Sequence, residues 1–174
     1  MTGKTMVQES ASVALKSRTK LEPKLYTNCF LIVGNKILLG MKKRGFGANR
    51  WNGFGGKVHE GETIEQAAIR EMQEEAGVTA TKIENRGVII FEYSDNPELA
   101  PLEVHIFVAR EYSGEPAESE EMRPQWFSTK KVPQDNMWAD VKYWLSQMIG
   151  GKKVKAYFLF EGEQAIKEYK TEFF

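Results

Sequence analysis

The chain holds one cysteine, two histidines and no long apolar run, and it has no excess of either charge. A solitary Cys29 excludes an internal disulfide and any Cys-rich zinc site, and a reducing compartment is the simplest setting for it. The cytoplasm is therefore expected, with the mitochondrion and the nucleus as further locations in keeping with it. Of the two histidines, His59 opens the run His-Glu-Gly-Glu-Thr, which lacks the second histidine of a zinc-protease helix. Lys and Arg number 24, and so do Asp and Glu, so no net field draws the chain to nucleic acid or to an anionic membrane. A polyphosphate partner would have to be held by a local site. No apolar stretch approaches the roughly 18 residues that a membrane span needs. Neither a nucleic-acid polymer nor a membrane is expected as a partner.

What is present is globular: 41% hydrophobic and 11% aromatic residues over 174, enough for one domain with its own core. Residues 1–22 are polar, with Ser and Thr throughout, and are expected to form a disordered extension. A transit peptide would want more arginine than Arg18 alone and no acid such as Glu9. The domain is expected over 23–174. Tyr26 to Val33 reads as a strand, Gly34-Asn35 as a turn and Lys36 to Met41 as the return strand. A Gly-rich loop follows from Gly45 to Gly56. Further strands are expected at Gly87 to Tyr93, Glu103 to Glu111, Trp126-Phe127, Tyr157 to Phe160 and near Tyr169. Two amphipathic helices are expected, at Ile64 to Ala76 and at Ala139 to Ile149. Strands outnumber helices, which suggests an α+β fold in which a mixed β-sheet is sandwiched by helices, an α/β/α sandwich.

The first helix carries its own boundaries. Thr63 with Gln66 forms a capping box, and Gly77 stands where a left-handed terminal residue is wanted. At about 100° per residue, Glu71, Glu74 and Glu75 fall within an arc of about 100°, beside an apolar arc of Ala68, Ile69, Met72 and Ala76. Like charges at this spacing repel by about 0.2–0.5 kcal/mol per pair. Two glutamates alone would read as a solvated face. Three make better sense as hard oxygen ligands for Mg²⁺, which also chelates phosphates. A P-loop reading of Gly53-Phe54-Gly55-Gly56-Lys57 fails, because no Ser or Thr follows the lysine and the four-residue spacer is missing.

Gly56, Glu62, Arg70, Glu71, Met72, Glu74, Glu75, Gly77 and Val78 fit the pattern Gly-x5-Glu-x7-Arg-Glu-aliphatic-x-Glu-Glu-x-Gly-aliphatic, and in this the chain resembles the Nudix hydrolases. At average residue usage such a match arises about once in a billion starting positions. Outside the box, the runs Leu38 to Gly47 and Arg50 to Lys57, then Glu121-Met122-Arg123-Pro124, Trp126-Phe127 and Asp135 to Trp138, resemble the animal-type branch that hydrolyses oxidised purine nucleoside triphosphates such as 8-oxo-dGTP.

The resemblance implies a Nudix fold and hydrolysis of an oxidised purine nucleoside triphosphate, 8-oxo-dGTP or 2-hydroxy-dATP, to monophosphate and pyrophosphate. It implies Mg²⁺ as cofactor, with Mn²⁺ able to substitute, a small nucleotide as substrate and a monomeric protein. Metal ligands would be Gly56 through its carbonyl, Glu71, Glu74, Glu75 and Glu121. Glu75, Glu71 or Glu121 would act as general base, and Arg70 would orient the glutamates. Asn52 and Asp140 would read the base edge, with Thr27, Lys42, Phe46, Phe91, Leu102 and Trp138 lining the nucleotide pocket. Judged alone, Phe91 and Trp144 read as core, and Lys42 as one of the exposed run Lys42 to Arg44. The chain departs from the family pattern twice: Val141 stands where a second acid follows the Asp140 position, and Leu102 where the family has methionine. Alternative functions are hydrolysis of another nucleoside diphosphate compound and a non-catalytic nucleotide-binding module.

Overall fold

Strand β1, Lys24–Val33, sits at the centre of the sheet and is covered on both faces: Phe30 and Ile32 enter one core, Cys29 and Leu31 the other. This follows from the two-residue period of a strand, which sends successive side chains to opposite faces. The structure is a computed structural model that describes residues 18–174. Gly34, at φ 59°, and Asn35 turn the chain into β2, Lys36–Lys42, with Leu31 opposite Leu38. Next come β3 (Trp51–Asn52), α1 (Ile64–Ala76), β4 (Thr79–Tyr93), β5 (Leu102–Ser113) and β6 (Met122–Ser128). A five-residue α2 (Leu145–Ile149) precedes β7 (Val154–Glu161) and β8 (Ala165–Phe173). The sheet runs β3-β2-β1-β5-β4-β7-β8, with β6 also paired to β2. The pairs β1–β5 and β4–β7 are parallel and the rest antiparallel, so the sheet is mixed as expected.

Helix α1 packs Ala68, Met72 and Ala76 against Leu31, Leu38, Phe54 and Phe107. The opposite face is closed by Met137, Val141, Trp144, Leu145 and Met148 over Phe30, Ile89, Ile106 and Phe158. The second helix is much shorter than expected. Val141–Tyr143 forms a 3₁₀ turn, Trp144 leaves the helical region at φ −141°, and only Leu145–Ile149 is α-helical. The break lets Val141, Trp144, Leu145 and Met148 all reach the core, which tertiary packing rewards above helix continuity.

Other boundaries also differ from expectation: β6 begins four residues before Trp126 and β7 three before Tyr157. β4 begins at Thr79, eight residues before the expected Gly87, because its polar first half is a bulged, outward segment that shows no clean alternation. The Gly-rich loop contains β3, two residues held against Gly40 and Met41 of β2. Of the 1–22 stretch expected to be disordered, 1–17 lie outside the described residues. Within 18–22, the Arg18 backbone N–H donates to the buried Glu92 carboxylate at 3.0 Å, and the Arg18 guanidinium pairs with Glu168.

Candidate active site

Helix α1 presents its glutamates to the loop at Gly55 and Gly56. Thr63 Oγ1 accepts from the Gln66 N–H at 3.1 Å while the Gln66 side chain accepts from the Thr63 N–H at 2.8 Å, and Gly77 closes the helix at φ 73°. The three carboxylates share one arc, yet that arc straddles the boundary of the core. Glu75 turns inward and is 6% exposed, Glu71 is half-buried and Glu74 faces solvent.

Arg70 organises this cluster. Its guanidinium forks onto Glu62 at 2.7 and 3.0 Å, and Nη1 reaches Glu71 at 2.9 Å and Glu74 at 3.2 Å. The Arg70 hydrogen bond and the His59 backbone N–H hold the Glu62 carboxyl down at about 2. Glu75 behaves oppositely. Burial pushes its carboxyl up to about 8, and the nearby Glu71 charge adds to that, although Oε1 accepts from the Gly55 N–H at 2.8 Å. Glu121, just before β6, accepts from Arg44 Nε at 2.8 Å, which lowers its carboxyl below the usual range.

Glu71, Glu74, Glu75, Glu121 and Gly56 all line one cleft with Lys42, Arg44 and Gly55. As the side chains stand, Arg70 and Arg44 draw the carboxylates apart, and no three acidic, histidine or cysteine groups among the described residues converge on one point. The donor set nonetheless fits a hard divalent cation. A Cβ at residue 56 would come within 2.5 Å of Glu71 Oε1, so any larger residue would push that carboxylate aside, whereas glycine lets the two lie together. The Gly56 carbonyl accepts one bond, from the Thr27 N–H at 2.9 Å, and a carbonyl oxygen has two lone pairs. All the candidate ligands offer oxygen, the preference of Mg²⁺.

A second cavity, of about 240 Å³, adjoins this cleft. Thr27, Lys42, Phe46, Asn52, Phe91, Leu102, Trp138 and Asp140 all line it, which brings together every residue expected in the nucleotide pocket. Lys42, Gly55, Gly56 and Glu75 line both spaces, so the two join at those residues. The cavity is largely aromatic. Phe46 lies 5.0 Å from the Trp138 ring, Phe160 meets the same indole edge-on at 6.1 Å, and the Arg50 guanidinium sits 4.3 Å over it. Gly47 has no room for a side chain, since a Cβ there would meet the Trp138 ring at 2.9 Å.

Asp140 is 2% exposed, and its Oδ2 accepts from Trp144 Nε1 at 2.8 Å. Burial raises its carboxyl to about 6 despite that bond. Val141 lines the pocket beside it and is itself buried. Trp144, expected as core, is core and also the partner of Asp140. The sequence reading missed Tyr93, Asn28, Arg50 and Phe160 as lining residues. Tyr93 was within reach of it, being two residues from Phe91 and therefore on the same strand face. Asn28, Arg50 and Phe160 come from separate elements, and no local pattern joins them.

The profile of the NUDIX domain matches residues 23–148 of the chain. The chain belongs to the Nudix family. Among curated Nudix relatives, it is 52% identical to a zebrafish (Danio rerio) protein named oxidized purine nucleoside triphosphate hydrolase, over 86% of this chain and 94% of that one. It is 48% identical to a mouse (Mus musculus) protein of the same name, over 84% and 92%. Among solved structures, a MutT protein from Bacillus halodurans superposes with a TM-score of 0.75 at 24% identity, covering 86% of this chain and 97% of that one, which shows the same fold.

Proposed function

We propose that this Nudix protein hydrolyses oxidised purine nucleoside triphosphates, 8-oxo-dGTP above all, to the monophosphate and pyrophosphate, and so clears the nucleotide pool of damaged precursors. One observation carries the reading: an aromatic, base-sized cavity opens at Lys42, Gly55, Gly56 and Glu75 directly into an acidic cleft. A nucleotide can place its base in the first and its phosphates in the second. The zebrafish and mouse relatives, aligned along most of the chain, bear the name of that activity.

Within this reading Trp138 stacks on the purine and the Asp140 carboxylate accepts from N–H groups on the base edge. The flanking aromatics exclude water from the base. Lys42, at the junction, meets the phosphates. Glu71, Glu74, Glu75, Glu121 and the Gly56 carbonyl would hold Mg²⁺, which Mn²⁺ could replace; the ion would supply charge to offset the phosphates and acidity to a water. A water forms a new P–O bond, the bond to the leaving pyrophosphate breaks, and the water's proton passes to a carboxylate of the cleft. We assign that role to Glu75, the buried acid that lines both the cavity and the cleft. Arg70 acts as a positioning residue through its bonds to Glu62, Glu71 and Glu74. The protein acts as a monomer in this reading: among the described residues the large exposed apolar side chains are Leu21, Leu25, Val33, Phe46, Tyr169 and Phe174, which come from several separate parts of the chain. Its single thiol, Cys29, is free and buried, in keeping with action in the reducing cytoplasm.

Steady-state kinetics with Mg²⁺ on 8-oxo-dGTP, 2-hydroxy-dATP, O6-methyl-dGTP, undamaged dGTP and ADP-ribose test the proposal. The expected result is pyrophosphate release with kcat/KM for 8-oxo-dGTP at least about tenfold above that for dGTP, a difference of about 1.4 kcal/mol in transition-state binding. Equal rates on the two, or a preference for ADP-ribose, would overturn it.

A further inference from the structure

Asn28, on β1, and Asn52, on β3, both line the base cavity. A carboxamide offers a donor at one end and an acceptor at the other, and only its partners reveal which end faces where. Here a backbone group decides. The Gly53 N–H can only donate, and it lies 2.8 Å from the Asn52 side chain, so the atom it meets is Oδ1. The Asn28 atom 2.9 Å from that same oxygen must then be its nitrogen, Nδ2. With Oδ1 held by two donors, the Asn52 amide cannot turn over without placing N–H against N–H. Its own Nδ2 donates to no protein atom among the described residues, and it is not sealed off from solvent as Asn28 Oδ1 is.

Asn28 makes this arrangement at a cost. Its Oδ1 is buried without a partner, and it lies so close to Gly53 that a Cβ there would come within 2.3 Å. An unsatisfied buried acceptor destabilises a fold, and an apolar side chain at position 28 would avoid it. Stability therefore gives no reason for an amide at this position, whereas control of Asn52 does.

We propose that Asn28 is a specificity-determining positioning residue: by donating to Asn52 Oδ1 alongside the Gly53 N–H it locks the Asn52 amide so that the pocket presents an N–H donor, and so selects bases with a carbonyl oxygen or an unprotonated ring nitrogen at that edge. The proposal rests on the reading of this cavity as the base pocket. Together with the Asp140 carboxylate, it gives the pocket one donating and one accepting group, a pairing suited to a guanine-type base, which carries acceptors and N–H donors on its edges.

Two measurements test it. In ¹⁵N-labelled wild-type protein, the Asn28 side-chain amide protons exchange slowly with solvent, while those of Asn52 exchange fast and shift when 8-oxo-dGMP is added. The reverse pattern would mean that the amides are oriented otherwise and would overturn the proposal. The second measurement is a double-mutant cycle on the Kd of 8-oxo-dGMP. Asn28→Leu weakens binding roughly three- to tenfold, the worth of one hydrogen bond. Asn52→Ala weakens it at least as much, and the double variant is no weaker than Asn52→Ala alone. No change in Asn28→Leu, or simple additivity in the double variant, means that Asn28 does not act through Asn52. If the wild type binds no purine monophosphate, the proposed function fails, and the exchange pattern alone then decides the orientation of Asn52.

Discussion

Glu75 concentrates the chemistry at the scale of single residues. It is buried, bonded to the Gly55 N–H, and faces Glu71, Lys42 and Glu121. Glu75→Gln keeps the shape and the acceptor for the Gly55 N–H and leaves no carboxylate to be buried, so it should fold at least as well as wild type while kcat falls far more than tenfold. Retention of above a tenth of wild-type kcat would remove Glu75 from the mechanism. The same residue sets a pH dependence in metal-free protein. Its carboxyl is raised to about 8 in the folded state and that of Asp140 to about 6, so both bind protons more tightly folded than unfolded. Their contribution to stability is full below about pH 4 and is lost as pH rises through 6 and then 8. In EDTA the Tm should therefore fall by at least about 3 °C between pH 5 and pH 9, and the upper part of that fall should vanish in Glu75→Gln. A flat profile would show that the burial does not act on the proton.

Trp138 and Val141 act on selectivity at the same scale. Trp138→Ala should raise KM for 8-oxo-dGTP by roughly ten- to hundredfold with a smaller change in kcat, since base stacking is worth about 1–3 kcal/mol and is felt in ground and transition state alike. An unchanged KM would return Trp138 to a packing role. Val141 leaves Asp140 without an acidic neighbour, so a base group facing it lacks a partner, at about 1–3 kcal/mol. Guanine-type substrates should therefore be favoured, with 2-hydroxy-dATP turnover rising in Val141→Asp. Equal kcat/KM for 8-oxo-dGTP and 2-hydroxy-dATP in wild type, unchanged in Val141→Asp, would refute this reading of the pocket.

At the scale of elements, α1 is a self-contained unit whose start and end are written locally. Thr63→Ala should cost about 1 kcal/mol through loss of the cap. The Tm would drop by a few degrees with KM intact, because Thr63 touches neither cavity. A large change in KM would mean that the cap tunes the site as well as the helix. The capping box, Gly77 and the glutamate arc were all legible in the sequence because each depends on neighbours within four residues. The segment after Trp138 was not. Its apolar residues, Val141, Trp144, Leu145 and Met148, follow helical spacing, yet packing over the sheet breaks the helix at Trp144. The early half of β4 was hidden for a related reason, since bulges destroy the alternation by which a strand is recognised.

Over the whole molecule, metal binding in the carboxylate cleft would couple to stability. Mg²⁺ should stabilise the fold by RT ln(1 + [Mg²⁺]/Kd), so that the Tm climbs with the logarithm of [Mg²⁺] above Kd, with a weaker rise in Glu75→Gln. Light scattering on the same samples should give a mass near the 19.9 kDa of one chain. A Tm indifferent to Mg²⁺ would count against the ligand set.

The sequence by itself determined the acidic cleft, because Gly56, Arg70, Glu71, Glu74 and Glu75 lie on one loop and one helix whose geometry is local. It also implied, through resemblance, the residues that line the base cavity. Tertiary structure alone decided which glutamate is buried, how the two cavities join at Lys42 and Glu75, and which end of the Asn52 amide faces the pocket. Those outcomes depend on contacts such as Asn28 with Asn52, or Gly55 with Glu75, between residues 24 and 20 positions apart. Burial, proton affinity and amide orientation are properties of a surrounding, and the surrounding exists only once the sheet has brought distant strands together.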